Sequence, residues 1–386
     1  MACQSKDSTI NEVFELISSQ GFDGLKEAVT VLINEAMQIE RSKHLQADPY
    51  ERSKARQGYA NGFKPKCVKS RLGELELSVP QVRDSSFYPG ALERGLRSER
   101  ALTNAIAEMY VTGVATRKVK RITEELCGFE ISSMDVSRAA STLDESLSAW
   151  RERPLSQYEY LFLDARYEKV RQGGNVLSSA VLIAYGIDKQ GRRRILGTSV
   201  SLSEHEVHWR AFLNSLVTRG LHGIKLIISD AHAGLKAALT AVFPSVAWQR
   251  CQFHLQQNAQ AYVPKQKMKR EVAADIRAVF DAPNQEEALY LLNKLVKKYE
   301  KTAPDLSAWL PENVPQSLTV MQFPLAHRRR LRTSNIAERI NKEIKRRTRV
   351  VGIFPNTQSC LRLVSAIIME IDEEWIEGNT YLTFDN

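Results

Sequence analysis

Two aspartates and a glutamate stand where the sequence could do divalent-cation chemistry. Asp164 closes the strand-like run 158–163 (YEYLFL), and Asp230 closes 225–229 (KLIIS). Carboxylates held a few ångströms apart repel and raise their own pKa, and a divalent cation removes that cost. Hard oxygen ligands suit Mg2+ or Mn2+. Glu338 is a candidate third acid. Residues 328–349 (RRRLRTSNIAERINKEIKRRTR) hold ten Lys and Arg against two acids, Glu338 and Glu343. Thr333 or Ser334 as an N-cap would place Glu338 about one turn into a basic helix. Spacing alone does not choose Glu338 over Glu343. Two ions held by three acids can activate a water or a 3′-hydroxyl and stabilise the leaving oxygen of an in-line phosphodiester attack. Each acid also has a plainer role. A strand-end Asp is often a turn former, and Glu338 could simply pair with an Arg one turn away.

Bringing Asp164 beside Asp230, 66 residues later, requires a particular sheet. Strand signals at 158–163, 176–187 and 193–202 are followed by a helical pattern at 206–219. A strand at 225–229, a helix at 233–242 closed by Pro244, and a short strand at 246–250 complete the series. Three consecutive strands, helix, strand, helix, strand is a mixed α/β sheet in the order of a ribonuclease H-like core. In that order the first and fourth strands are neighbours. Residues 253–326 then read as helical, with stripes such as Ile276, Val279 and Phe280. The basic helix follows, and an apolar helix at 360–376 closes the core.

Ahead of the sheet, residues 10–45 carry apolar residues at helical spacing. A basic, glycine-punctuated stretch (52–71) leads into the alternating run 74–79 (ELELSV), which suggests a β-hairpin with one solvated face. A flexible linker is the alternative. Residues 98–150 suggest three helices: one capped by Ser98, a short basic one from Thr116 to Gly128, and a third from about 134 to 150 capped by Ser132 or Ser133. This is helix-turn-helix arithmetic. Arg117, Lys118, Lys120 and Arg121 would lie on the second helix, and Arg138 near the start of the third, where base reading occurs. A plain helical bundle fits the same spacing. The resulting divisions are 1–57 (helical), 58–97 (basic hairpin or linker), 98–150 (helix-turn-helix-like), 155–252 (core), 253–327 (helical insertion) and 328–386 (core completion).

Composition agrees with a polyanionic partner. The 386 residues carry a net charge of +9 and a pI near 9.2. Hydrophobic residues make up 43%, enough for a real core. The five cysteines are scattered, with no C-x-x-C pair, which argues for a reducing compartment. The polar start (MACQSKDST) is no secretory signal, and no apolar run approaches the roughly 18 residues of a membrane span. A soluble, cytoplasmic protein is expected, at the nucleoid when on DNA.

Six segments carry a family resemblance: LDARYEKVR (163–171), AVLIAYGID (180–188), SDAHAGLKAAL (229–239), WQRCQFHLQQN (248–258), TSNIAERINKEIKRRTRVVGIFPN (333–356) and RSERALTNAIAEMYVTGVATRKVKRITEELCG (97–128). On these the chain resembles, over essentially its whole length, the mutator-type transposases of the bacterial insertion sequence 256 family. The resemblance implies a DDE triad on Asp164, Asp230 and Glu338 and a helical insertion between the second and third acids. It also implies N-terminal regions that bind the element's terminal inverted repeats, a dimer pairing two ends on double-stranded DNA, and a copying route through a circular intermediate. Cys251 and His254 match the family's Cys-x-x-His signature. By spacing this is half a zinc site; with two ligands visible out of the usual four, a structural or active-site-supporting role is preferred. Arg250 is expected to support the active site and contact a phosphate, and Lys345, Arg346 and Arg347 are expected at DNA phosphates, with a solvated Lys345 as the alternative. His205-Glu206-Val207-His208 is one residue short of a metalloprotease motif and is set aside. Two rivals remain: a resolvase-like nuclease with the same acids, and a non-enzymatic regulator built on 98–150.

Overall fold

A computed structural model describes residues 2–83, 87–92, 97–333 and 335–384. The chain divides into two compact units, Met1–Thr142 and Leu143–Asn386.

In the first unit, helices α1 (Ala2–Gln20) and α2 (Leu25–Leu45) precede a hairpin of β1 (Ala60–Ser70) and β2 (Gly73–Val82). The alternation read at 74–79 is real. Leu75, Leu77 and Val79 face inward with Met37 and Val68, while the residues between them face water. Helices α3 (Arg100–Val111), α4 (Thr116–Cys127) and α5 (Ser133–Ser141) bury Leu102, Ile106, Val119, Phe129, Ile131 and Val136. Ser132 caps α5 in a capping box: its hydroxyl accepts from Asp135 N at 3.1 Å, and Asp135 accepts in return from Ser132 N at 3.1 Å. Ser98 does not cap α3. It sits in a β-bridge with Lys69, and Glu99 takes the cap position. The single helix expected over 134–150 is two, because α6 (Asp144–Glu152) belongs to the second unit. There the Asp144 carboxylate accepts from Arg362 at 2.6 and 2.7 Å.

The second unit is built on a five-stranded mixed sheet in the order β5-β4-β3-β6-β7. Strands β3 (Tyr158–Gln172), β4 (Asn175–Asp188) and β5 (Arg193–Ser201) are antiparallel neighbours. Strands β6 (Leu226–Ser229) and β7 (Ala247–Arg250) run parallel to β3. Helices α7 (Glu206–Thr218) and α8 (Ala233–Val242) pack on this sheet through Trp209, Leu213, Leu216, Leu235 and Ala238. Each of these elements lies within two residues of its expected bounds except β3. That strand was read as ending at Asp164, yet it runs on to Gln172 and turns through Gly173 and Gly174 (φ +54° and +85°) into β4. Its outer half carries Arg166, Glu168, Lys169 and Arg171, so it lacks the apolar run that marked the inner half.

Between β7 and the C-terminal helices lies a helical stretch: α9 (Gln252–Ala259), α10 (Lys269–Phe280), α11 (Gln285–Tyr299), α12 (Pro304–Asn313) and α13 (Leu325–Leu331). Gln249 anchors it to the sheet, donating to Ser317 O at 2.7 Å and accepting from Val320 N at 2.8 Å. Helices α14 (Asn335–Val351) and α15 (Thr357–Glu377) close the unit. Asp372 of α15, almost fully buried, accepts from Arg153, Arg194 and Ile195 N. Ser334, one of the two residues offered as a cap for α14, lies outside the described residues. Among the described residues, no helix is long and apolar enough to cross a membrane.

Candidate active site

Register brings the two aspartates together. Phe162 of β3 pairs with Ile228 of β6, so Asp164 and Asp230, two residues further along both strands, stand level. Parallel neighbours lie about 4.8 Å apart and point level residues to the same face. Ser229 in turn pairs with Arg250 of β7, which sets Cys251 level with Asp230. Cys251 N donates to Ser229 O at 2.8 Å, and α9 starts at the next residue, carrying His254 one turn in. The paired part of β6 stops where β3 continues. That gap at the sheet's carboxyl edge is where the polar groups gather.

Their electrostatics differ. Asp164 is only 8% exposed, and burial pushes its pKa up to about 6, against the pull of His254, Asn341 and Ala165 N; nearby Asp230 raises it further. Asp230 Oδ1 accepts from Ala231 N at 2.6 Å. A hydrogen bond with Cys251 raises His254 to about 9, and the charges of Asp230 and Asp164 add to it against the effect of burial. The acids thus have a cationic neighbour in His254, and the charge of Asp230 also acts on Arg250.

Helix α14 meets this edge through a residue the sequence reading passed over. Asn341 Nδ2 donates to Asp164 Oδ2 at 2.5 Å, and Asn341 O accepts from Arg166 of β3. Among the described residues, Asn341 Oδ1 is buried without a hydrogen-bond partner. The available signal was its spacing, three residues after Glu338 and so on the same side of a helix. Glu338 itself is exposed and makes no hydrogen bond or ion pair among the described residues. Glu343 is fully engaged. It accepts from Arg346 and Arg347, and these bonds hold its carboxyl down to about 2. Among the described residues, no three His, Cys, Asp or Glu side chains stand close enough together to hold a metal ion.

The basic residues sort by burial. Arg347 is 7% exposed and holds Glu343 and Glu370, so its guanidinium is spent inside the fold. Arg250 is 4% exposed, donates to Asn313 Oδ1 at 2.6 Å and lies over the Trp309 ring. Lys345 and Arg346 stay on the surface. In the first unit, Lys120, Arg121 and Arg138 pair with Glu130, Glu125 and Asp135, while Arg117 and Lys118 are exposed with no ion pair among the described residues.

Residues 3–378 match the family described as "Transposase, Mutator family". The transposase for insertion sequence element IS406 of Burkholderia multivorans is 55% identical over 387 residues, covering 100% of both chains. That for ISRM5 of Rhizobium meliloti is 45% identical, covering 94% of this chain and 92% of the relative. That for IS256 in transposon Tn4001 of Staphylococcus aureus is 38% identical and covers 94% of each. A family match over nearly the whole length and relatives of this closeness give one conclusion: the chain belongs to the Mutator family of transposases.

Proposed function

We propose that this chain is a DDE transposase that cleaves DNA strands at the ends of an insertion sequence and joins them to new sites. Asp164, Asp230 and Glu338 are its catalytic acids. The sheet of residues 155–252 is a ribonuclease H-like core, interrupted by the helical insertion 253–327 and completed by 328–386. The level placement of Asp164 and Asp230 on adjacent strands carries the reading. Two carboxylates so placed, one of them buried and pushed up to about 6, are a donor set that fits a hard dication. Glu338, with no ion pair among the described residues, would be the third acid, and Glu343 is set apart from it by its two arginine partners. When bound, Mg2+ or Mn2+ would supply Lewis-acid activation of the attacking and leaving oxygens.

The chain's own residues do the rest. Asp164 and Asp230 fix where the scissile phosphate sits relative to the sheet edge. His254, cationic below about pH 9, adds a positive charge beside them. Lys345 and Arg346 face the DNA backbone from α14. Helices α4 and α5 act as a helix-turn-helix on the terminal inverted repeats, with Arg117 and Lys118 free to contact phosphate. Two copies pair two ends. The test uses purified protein and a duplex carrying the element's inverted repeats. Asp164→Ala, Asp230→Ala and Glu338→Ala should each abolish cleavage and strand transfer while repeat binding persists. Strand transfer surviving these substitutions refutes the assignment, and cleavage without end specificity favours a resolvase-like nuclease.

A further inference from the structure

We infer that Asn341 is a positioning residue of the acid site, fixing Asp164 and the helix that carries Glu338 in one arrangement. The inference rests on the catalytic assignment above. Among the described residues, side-chain hydrogen bonds fasten helix α14 to β3 at three places. Asn341 Nδ2 donates to Asp164 Oδ2, Arg166 donates to Asn341 O, and Thr348 Oγ1 donates to Glu168 Oε1 at 3.1 Å. Arg166 and Glu168 are themselves paired at 2.5 Å, so the second and third fastenings are linked. Only the first touches a candidate catalytic group.

The geometry makes Asn341 specific. An ionised Asp164 offers acceptors only, so the amide must present its NH2 to the carboxylate, and a flipped amide would set oxygen against oxygen. That choice fixes the direction of Oδ1, which is left buried and unpartnered. A buried carbonyl oxygen without a donor costs free energy, so the arrangement persists only if something else favours it. Holding Asp164 in a single orientation is such a gain, and an oxygen held beside the acids also suits a dication. Glu338, three residues earlier, sits about 4.5 Å up the helix axis and about 60° around from Asn341. Fixing Asn341 to Asp164 therefore fixes the approach of Glu338 as well. A residue that orients a metal ligand commonly changes metal affinity or activity by about 10- to 100-fold when removed.

The experiment compares the full-length protein with Asn341→Leu, which matches the shape of asparagine without its polar atoms, and Asn341→Gln, which keeps the donor on a longer arm. Mn2+ binding is read by electron paramagnetic resonance without DNA, repeat-end cleavage is followed in Mg2+, and repeat binding by anisotropy. Asn341→Leu should weaken Mn2+ binding about tenfold or more and lower kcat by a similar factor, with repeat binding and KM for DNA unchanged. Asn341→Gln should recover part of both. A purely structural asparagine would instead lower the melting temperature without moving Mn2+ affinity or kcat. Either that outcome or Leu values within twofold of wild type overturns the inference. If Asn341→Leu does not fold, Asn341→Ala takes its place: Mn2+ affinity and kcat about tenfold or more below wild type, partly recovered in Asn341→Gln, support the positioning role, and values within twofold of wild type overturn it. Asp164→Ala serves as the control. If it retains Mn2+ binding and cleavage, the catalytic assignment fails, not the role of Asn341 alone.

Discussion

Replacing Asp164 by Asn should stabilise the metal-free protein and destabilise the metal-loaded one. Asp164 is 8% exposed, and burial lifts its pKa from 3.8 to about 6. At neutral pH the folded chain therefore holds an ionised carboxylate against its preference. The shift of about two units corresponds to about 3 kcal/mol, an upper bound on what removing the charge returns. That shift already includes the pull of His254, and asparagine keeps an acceptor for Asn341, so a net gain of about 1 to 3 kcal/mol is expected. For a unit of this size that raises the melting temperature by roughly 2 to 10 °C. The pH dependence has a definite sign. Because the folded pKa lies above the unfolded one, the folded state binds the proton more tightly, and metal-free stability falls as pH rises from about 4 to about 6. Asp164→Asn removes that slope. Divalent metal reverses the ranking, since ligand at a thousand times its Kd stabilises the wild type by about 4.1 kcal/mol and the variant by little. The assay is differential scanning fluorimetry at pH 7.5, in EDTA and across a Mn2+ titration. A variant less stable than wild type in EDTA, or one stabilised by Mn2+ as much as wild type, refutes the reasoning.

Further outcomes follow from the same geometry. Glu338→Gln should abolish cleavage with melting temperature unchanged, because Glu338 makes no bond among the described residues. Glu343→Gln should keep cleavage yet cost about 1 to 2 kcal/mol in urea unfolding, because it loses the bonds from Arg346 and Arg347. The stabilisation His254 draws from Cys251 and the acids should be complete below about pH 6.5 and lost as pH rises through 9. A Cys251→Ala comparison by melting temperature should therefore show its largest loss at low pH, and a His254 ring titration followed by NMR should move down from about 9. Arg117→Ala and Lys118→Ala should each weaken repeat binding and lower the slope of log affinity against log salt by about one, whereas Arg121→Ala, already paired with Glu125, should change it less.

Much of the core was legible because its signals are local. Apolar runs with clear edges marked β4 to β7 and the helices between them, and the positions of Asp164 and Asp230 followed from strand order. The outer half of β3 was not legible: charged residues interrupt its apolar pattern, and Arg166, Glu168 and Val170 are covered there by pairing and packing that depend on distant parts of the chain. The break between α5 and α6 was hidden for another reason. Residues 141–144 do not exclude a helix, and the separation comes from Arg362, more than 200 residues away, holding Asp144 in the other unit. Charge misled most where it was densest. Among ten basic residues at 328–349 the sequence offered no way to tell Arg347, buried on two carboxylates, from exposed Lys345, because burial is decided by Glu370 on the next helix. The same holds for the third acid. Spacing does not separate Glu338 from Glu343; place in the helix and the family motif favour Glu338, and the structure adds that Arg346 and Arg347 pair with Glu343. Glu338 makes no ion pair among the described residues, and Asn341, one turn beyond Glu338, ties the helix to Asp164.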